Sequence, residues 1–89
     1  MIDRKAAGER LTQMRKALGW SQKDFAEAAD ILPSAMNNYE KGRQLPRPEE
    51  ALKLCERFGL TMDFIYLGRL DTLPQNVSKA FESKSRDSA

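Results

Sequence analysis

Apolar residues recur along this chain with a helical period from near its start to residue 81. Between residues 4 and 18, Ala7, Leu11, Met14 and Leu18 fall at i, i+4, i+7 and i+11, which puts them on one face of a helix. Asp3 stands where an N-cap is needed, and Gly19 follows as a stop. From Ser21 to Gly42 the pattern is shorter and interrupted. Ser21 can cap a second helix through the N–H of Asp24, and Asp24 places negative charge in the first turn, where the helix dipole favours it. Phe25, Ala26 and Ala29 form the inward stripe, with small residues that let another helix come close. Asp30-Ile31-Leu32 breaks the period. Pro33 then restarts a helix at the one position where a missing N–H does no harm; Met36 and Tyr39 lie on its inner side, and Gly42 ends it.

Beyond Gly42 comes a loop with two prolines. Pro48, followed by Glu49 and Glu50, predicts a fourth helix whose Leu52, Cys55 and Phe58 face inward, flanked by Ala51 and Leu54, up to a stop at Gly59. On this reading Cys55 is a buried small hydrophobe. Thr61 caps a short fifth helix, MDFIYL, in which Phe64, Ile65 and Leu67 close the core before Gly68. Trp20 and Ile31 cover the core edges. Gly8 inside the first helix forgoes about 1 kcal/mol relative to Ala, and close packing is the expected compensation. The expectation for residues 1–68 is therefore one all-α, five-helix domain. Residues 69–89 form an extension in which Leu70, Leu73, Val77 and Phe81 fall at i, i+3, i+7 and i+11. This predicts either a sixth short helix packing back on the domain or an apolar strip for a second subunit. The closing SKSRDSA is polar enough to be expected disordered.

Composition narrows the chemistry. With no His and a single Cys in 89 residues, neither a disulfide nor a zinc site nor a Ser/His or Cys/His catalytic arrangement can be built. No glycine-rich phosphate loop is present. No enzymatic activity, cofactor or metal is expected. No run of 18 apolar residues exists to span a membrane, and the opening MIDRKAAGERL lacks the apolar stretch of a signal peptide, so the chain reads as cytoplasmic. The net charge of +2, from 15 basic and 13 acidic residues, is weak for a nucleic-acid binder, and its distribution matters more than its sum.

Helix, three-residue turn, helix is the helix-turn-helix arrangement, whose second helix can enter the major groove of DNA. Once Met36 and Tyr39 are assigned inward, Ser34, Asn37 and Asn38 remain on the outer face. A carboxamide presents one donor and one acceptor in a fixed fork, which matches N6 and N7 of adenine. Lys41, Arg43 and Arg47 follow closely, and Lys23 lies near Gln22; together they are candidates for a phosphate clamp.

In an ordered set of residues the chain resembles the phage-repressor and Cro-like helix-turn-helix domains, the XRE family. The set comprises Gly8-Glu9-Arg10-Leu11, Arg15, Leu18-Gly19-Trp20-Ser21-Gln22, Phe25-Ala26, Ile31, Ser34, Met36, Tyr39-Glu40-Lys41-Gly42, Pro46 and Thr61 through Gly68, and it covers roughly residues 7–68. The resemblance implies a compact bundle of the lambda-repressor type with helix 33–41 in the major groove. It implies a structural ion pair between Arg15 and Glu40, phosphate contact at Gln22, and base-facing positions at Pro33, Ser34, Asn37 and Asn38. Two departures stand out. Asp30 occupies a turn position usually held by Gly, and Leu32 replaces the usual Ser or Thr cap.

These features lead to the expectation of a sequence-specific DNA-binding transcriptional regulator, a repressor acting as a homodimer on a palindromic operator of double-stranded DNA, with no small-molecule ligand. The dimer contact is expected from Phe64, Tyr66 or Leu67 together with segment 70–81. One feature opposes this: between Lys23 and Lys41 there is no cation, while Asp24, Glu27, Asp30 and Glu40 supply four carboxylates. The alternative is the same fold used as a protein-interaction module, an antitoxin or adaptor that binds a polypeptide through its acidic second helix and apolar tail.

Overall fold

Three helices begin at a side chain that caps their unpaired N–H groups, and two begin at a proline. The computed structural model describes residues 2–87, with side chains as far as Ser83. Helix α1 (Arg4–Ala17) starts at Asp3, whose carboxylate accepts from the N–H groups of Lys5 and Ala6. Helix α2 (Gln22–Ala28) starts at Ser21, whose Oγ accepts from Asp24 N–H at 3.2 Å. Helices α3 (Pro33–Glu40) and α4 (Pro48–Phe58) both open on proline. Helix α5 (Met62–Leu67) is capped by Thr61, which accepts from Phe64 N–H at 3.0 Å. A single 3₁₀ turn (Leu70–Thr72) leads into α6 (Gln75–Asp87), and the described residues contain no strand. The fold is all-α.

The fully buried part of the core comes from the first five helices. Leu11 and Met14 of α1, Phe25 and Ala26 of α2, Met36 and Tyr39 of α3, Ala51 and Leu54 of α4, and Phe64 and Ile65 of α5 are all sealed from solvent. Helix α1 is the hub, lying against α3, α5 and α6. Arg10 ties it to α5 by donating to the last-turn carbonyls of Phe64 at 2.9 Å and Ile65 at 3.1 Å; the first also accepts from Gly68 N–H. Phe58 stacks on Phe25 with ring centroids 4.1 Å apart, and Trp20 meets Phe58 edge-on at 5.4 Å, closing one rim of the core.

Helix α4 is rotated from the face expected of it. Ala51 and Leu54 are buried, Cys55 and Phe58 half-buried, and Leu52 is 50% exposed. Positions 51, 54, 55 and 58 are i, i+3, i+4 and i+7, the stripe that follows the 3.6-residue period, whereas strict steps of three drift off it. Cys55 is thus half-buried rather than enclosed; its thiol lies 3.7 Å from Met62 Sδ, and burial pushes its pKa up. In α5, Leu67 is 54% exposed and does not close the core, because Phe64 and Ile65 already occupy the inward side.

The extension is a sixth helix packed on α1. Leu73 and Val77 are buried, and Phe81 meets Phe64 edge-on at 5.3 Å. The apolar strip is therefore covered by its own domain. Of the residues expected at a dimer contact, Phe64 has no exposed surface, Tyr66 is half-buried with its hydroxyl donating to Pro46 O at 2.6 Å, and Leu67 is the most exposed. Residues 83–87, expected to be disordered, continue α6 as far as Asp87; Ser88 and Ala89 lie outside the described residues.

The turn between α2 and α3 accommodates both departures from the usual pattern. Asp30 takes φ 58°, the only positive φ of a non-glycine among the described residues. Asp enters this region more readily than most residues, and Lys53 of α4 holds it by donating to its carbonyl at 2.9 Å. Leu32, the N-cap of α3, makes no side-chain cap bond and is 71% exposed. Leu32→Ser should therefore stabilise the domain by about 1 kcal/mol. At this chain length that is a rise of about 4–8 °C in Tm, readable by thermal circular dichroism; an unchanged or lower Tm would show that the uncapped start is not a weak point.

Candidate nucleic-acid interface

The placement of α3 begins with an atom that Gly8 lacks. A Cβ at Gly8 would lie 2.5 Å from the Tyr39 carbonyl oxygen and 2.6 Å from that of Glu40, so only glycine lets α1 and α3 approach this closely. Next to that contact Glu40 is buried, and its carboxylate is fully engaged. Arg15 Nε donates to Oε2 at 2.8 Å and Nη2 to Oε1 at 3.1 Å, a two-pronged pair, while Arg15 Nη1 donates to Trp20 O at 2.9 Å. The Thr12 hydroxyl lies 3.1 Å from the same carboxylate. A planar fork on a carboxylate fixes orientation as well as distance, so the pair sets the rotation of α3 about its own axis.

The network also captures a residue expected at the DNA backbone. Gln22 Nε2 donates to Glu40 Oε1 at 3.1 Å, and the side chain is half-buried. The carboxamide is turned into the protein by the acceptor it meets there, leaving one N–H and the carbonyl oxygen for an outside partner. On the far side of α3, Tyr39 donates its hydroxyl to the Glu50 carboxylate. Burial first, and the adjoining carboxylate second, push the Tyr39 pKa up to about 12, so it remains a neutral donor across the physiological range.

With Met36, Tyr39 and Glu40 committed inward, the outer face of α3 carries the polar residues. Pro33 and Ser34 are exposed, and Asn37 and Asn38 half-buried. Arg43 Nη1 donates to Asn38 Oδ1 at 3.3 Å, which joins the end of the basic cluster to the ridge. Lys23, Lys41, Arg43 and Arg47 are all exposed. This face offers hydroxyl and carboxamide groups capable of base-edge hydrogen bonds, with guanidinium and ammonium groups beside them.

Two cations of this face escaped the sequence reading. Lys5 packs against Gly42, where a Cβ would lie 2.8 Å from Lys5 Cα and 3.0 Å from its Cγ. The start of α1, with Arg4 and Lys5 exposed, thereby borders Lys41 and Arg43 from some 36 residues away in the chain. A local signal was present: the first turn of α1 contains no acidic residue and two basic ones, an arrangement the helix dipole opposes.

Among the described residues no three His, Cys, Asp or Glu side chains come together as a metal site. Nor is any described helix long and apolar enough to cross a membrane.

The family model for the helix-turn-helix matches residues 11–65, a span that includes α2, its turn and α3. Among curated relatives, the chain is 30% identical over 69 residues to the HTH-type transcriptional regulator ImmR of Bacillus subtilis, covering 78% of this chain and 54% of that protein. It is 28% identical over 58 residues to multiprotein-bridging factor 1 of Schizosaccharomyces pombe, covering 65% of this chain and 39% of that protein. The chain thus spans about half or less of the length of these relatives. No solved structure gives a significant match. Given a polar-faced α3 locked against α1, a tight turn joining it to α2 and a family match running across both helices, this chain belongs to the helix-turn-helix family, as a DNA-binding domain of the phage-repressor and Cro-like (XRE) type.

Proposed function

We propose that the chain is a sequence-specific transcriptional regulator, a repressor that occupies a palindromic operator as a homodimer and reads it with α3. The observation that carries this reading is the outward ridge Ser34, Asn37 and Asn38 with Arg43 bonded to its end. Asn37, Asn38 and Ser34 would meet base edges, while Lys23, Lys41, Arg43, Arg47, Arg4 and Lys5 would lie along phosphates. Gln22 would add a contact at the start of α2 while held by Glu40. Two copies would set recognition helices roughly 34 Å apart, one turn of the duplex.

The charge gap between Lys23 and Lys41 is narrower in three dimensions than in the sequence. Arg15 neutralises Glu40, and Lys53 Nζ lies 3.5 Å from Asp30 Oδ2. Of the four carboxylates, only Asp24 and Glu27 lack an ion pair among the described residues, and the α1 cations lie beside the cluster. This supports DNA over the antitoxin or adaptor reading. The test is selection of duplexes from a random pool, followed by a salt titration of binding to selected and random duplexes. Asn38→Ala should lose about 1–3 kcal/mol on the selected site and little on random DNA. Arg43→Ala and Lys5→Ala should each weaken both duplexes alike and reduce the salt slope by about one. Failure to enrich any site, with a stable complex to a polypeptide instead, would favour the adaptor reading.

A further inference from the structure

Leu32 is the most exposed large hydrophobic side chain of the described residues, at 71%, and it stands at the N-cap of α3, where a Ser or Thr side chain would stabilise the helix. The position forgoes a cap, which Ser or Thr would supply, and places an isobutyl group in solvent. Neither local structure nor packing accounts for it: the side chain is not part of the core, and the turn before it is held by backbone bonds and by Lys53. Pro33, the next residue, is also exposed, so the tip of α3 is an apolar pair leading into the polar ridge at Ser34.

In a helix-turn-helix the N-terminal residues of the second helix are those that reach base edges. The major groove presents one apolar feature, the C5 methyl group of thymine. We infer that Leu32 is a specificity-determining residue that packs on a thymine methyl group in each half-site, selecting T at one position beside those read by Ser34 and Asn37. This deepens the proposed DNA-reading role of α3 and rests on it.

The experiment uses the full chain and the duplex enriched from a random pool, with each thymine replaced in turn by deoxyuridine, which removes only the methyl group. One thymine per half-site should lose about fourfold in affinity on replacement, the effect of withdrawing one methyl group from an apolar contact. With Leu32→Ser the same replacement should have no effect at that position and an unchanged effect elsewhere. Because Leu32→Ser restores a cap, loss of folding does not confound the comparison. A change in overall affinity from the new hydroxyl alters both duplexes equally and cancels in the ratio. If a site is enriched but no thymine shows a methyl effect that depends on Leu32, this inference is overturned while DNA reading stands. If Leu32→Ser instead changes self-association with no dependence on the methyl group, Leu32 belongs to a protein contact and the inference is likewise overturned. If no site is enriched at all, both fall together.

Discussion

Arg15→Ala is expected to destabilise the domain by about 3–5 kcal/mol, because it leaves a carboxylate stranded inside the protein. Glu40 is the only buried charged residue among those described, and the side chains of Arg15 and Glu40 are 11% and 4% exposed. Removing the guanidinium takes away both prongs at 2.8 and 3.1 Å and leaves Gln22 as a donor, with a Thr12 hydroxyl whose single proton is contested by Gly8 O at 2.9 Å. Against a total of about 5–13 kcal/mol for a chain of this length, the variant would lose much of its stability. Urea denaturation is the suitable measurement, since an ionic denaturant would screen the effect. Arg15→Met with Glu40→Leu should recover part of the loss, because replacing a buried pair by apolar groups is milder than breaking it. A loss below about 1 kcal/mol in the single variant would mean that the pair behaves as a surface contact.

Gly8→Ala is the second variant with a large effect, and here the sign is the informative part. In an exposed helix interior this change stabilises by about 1 kcal/mol. At Gly8 the new methyl group would meet two backbone carbonyl oxygens at 2.5 and 2.6 Å, and neither can rotate away as a side chain could. Overpacking of this kind costs about 1–3 kcal/mol, toward the upper end here because both neighbours are backbone; set against the propensity gain of about 1 kcal/mol, the net result should be a loss of about 1–2 kcal/mol in urea. The relief available is separation of α1 from α3, which would also draw Lys5 off Gly42 and disturb the alignment of the cation cluster with the ridge. Affinity for the selected duplex should accordingly fall at a temperature where the variant is still folded. A stabilised variant would show that the two helices are not in contact at Gly8.

Most of the architecture was legible before any coordinates. Helix starts at Asp3, Ser21, Pro33, Pro48 and Thr61 rest on interactions that span two to four residues, and such local chemistry is written directly in the order of side chains. The outward set Ser34, Asn37 and Asn38 followed for the same reason, since one short helix with two inward anchors leaves little choice about its other face.

Long-range choices were not legible. On α4 the stripe Ala51, Leu54, Cys55 and Phe58 keeps the 3.6-residue period, but how deeply each of them is buried is set by the packing partners, and Leu52 is left half in water. The strip Leu70, Leu73, Val77 and Phe81 would have suited a second subunit equally well, and only the presence of α1 and Phe64 within reach directs it inward. Gln22 is turned by a carboxylate 18 residues on, and Lys5 reaches the cation cluster through a contact with Gly42. A linear order of residues thus determines which helices form and which of their faces are polar. The side chains that share one charge, one groove or one seam are decided by the close approach of distant backbones, because contact energies depend on separation in space.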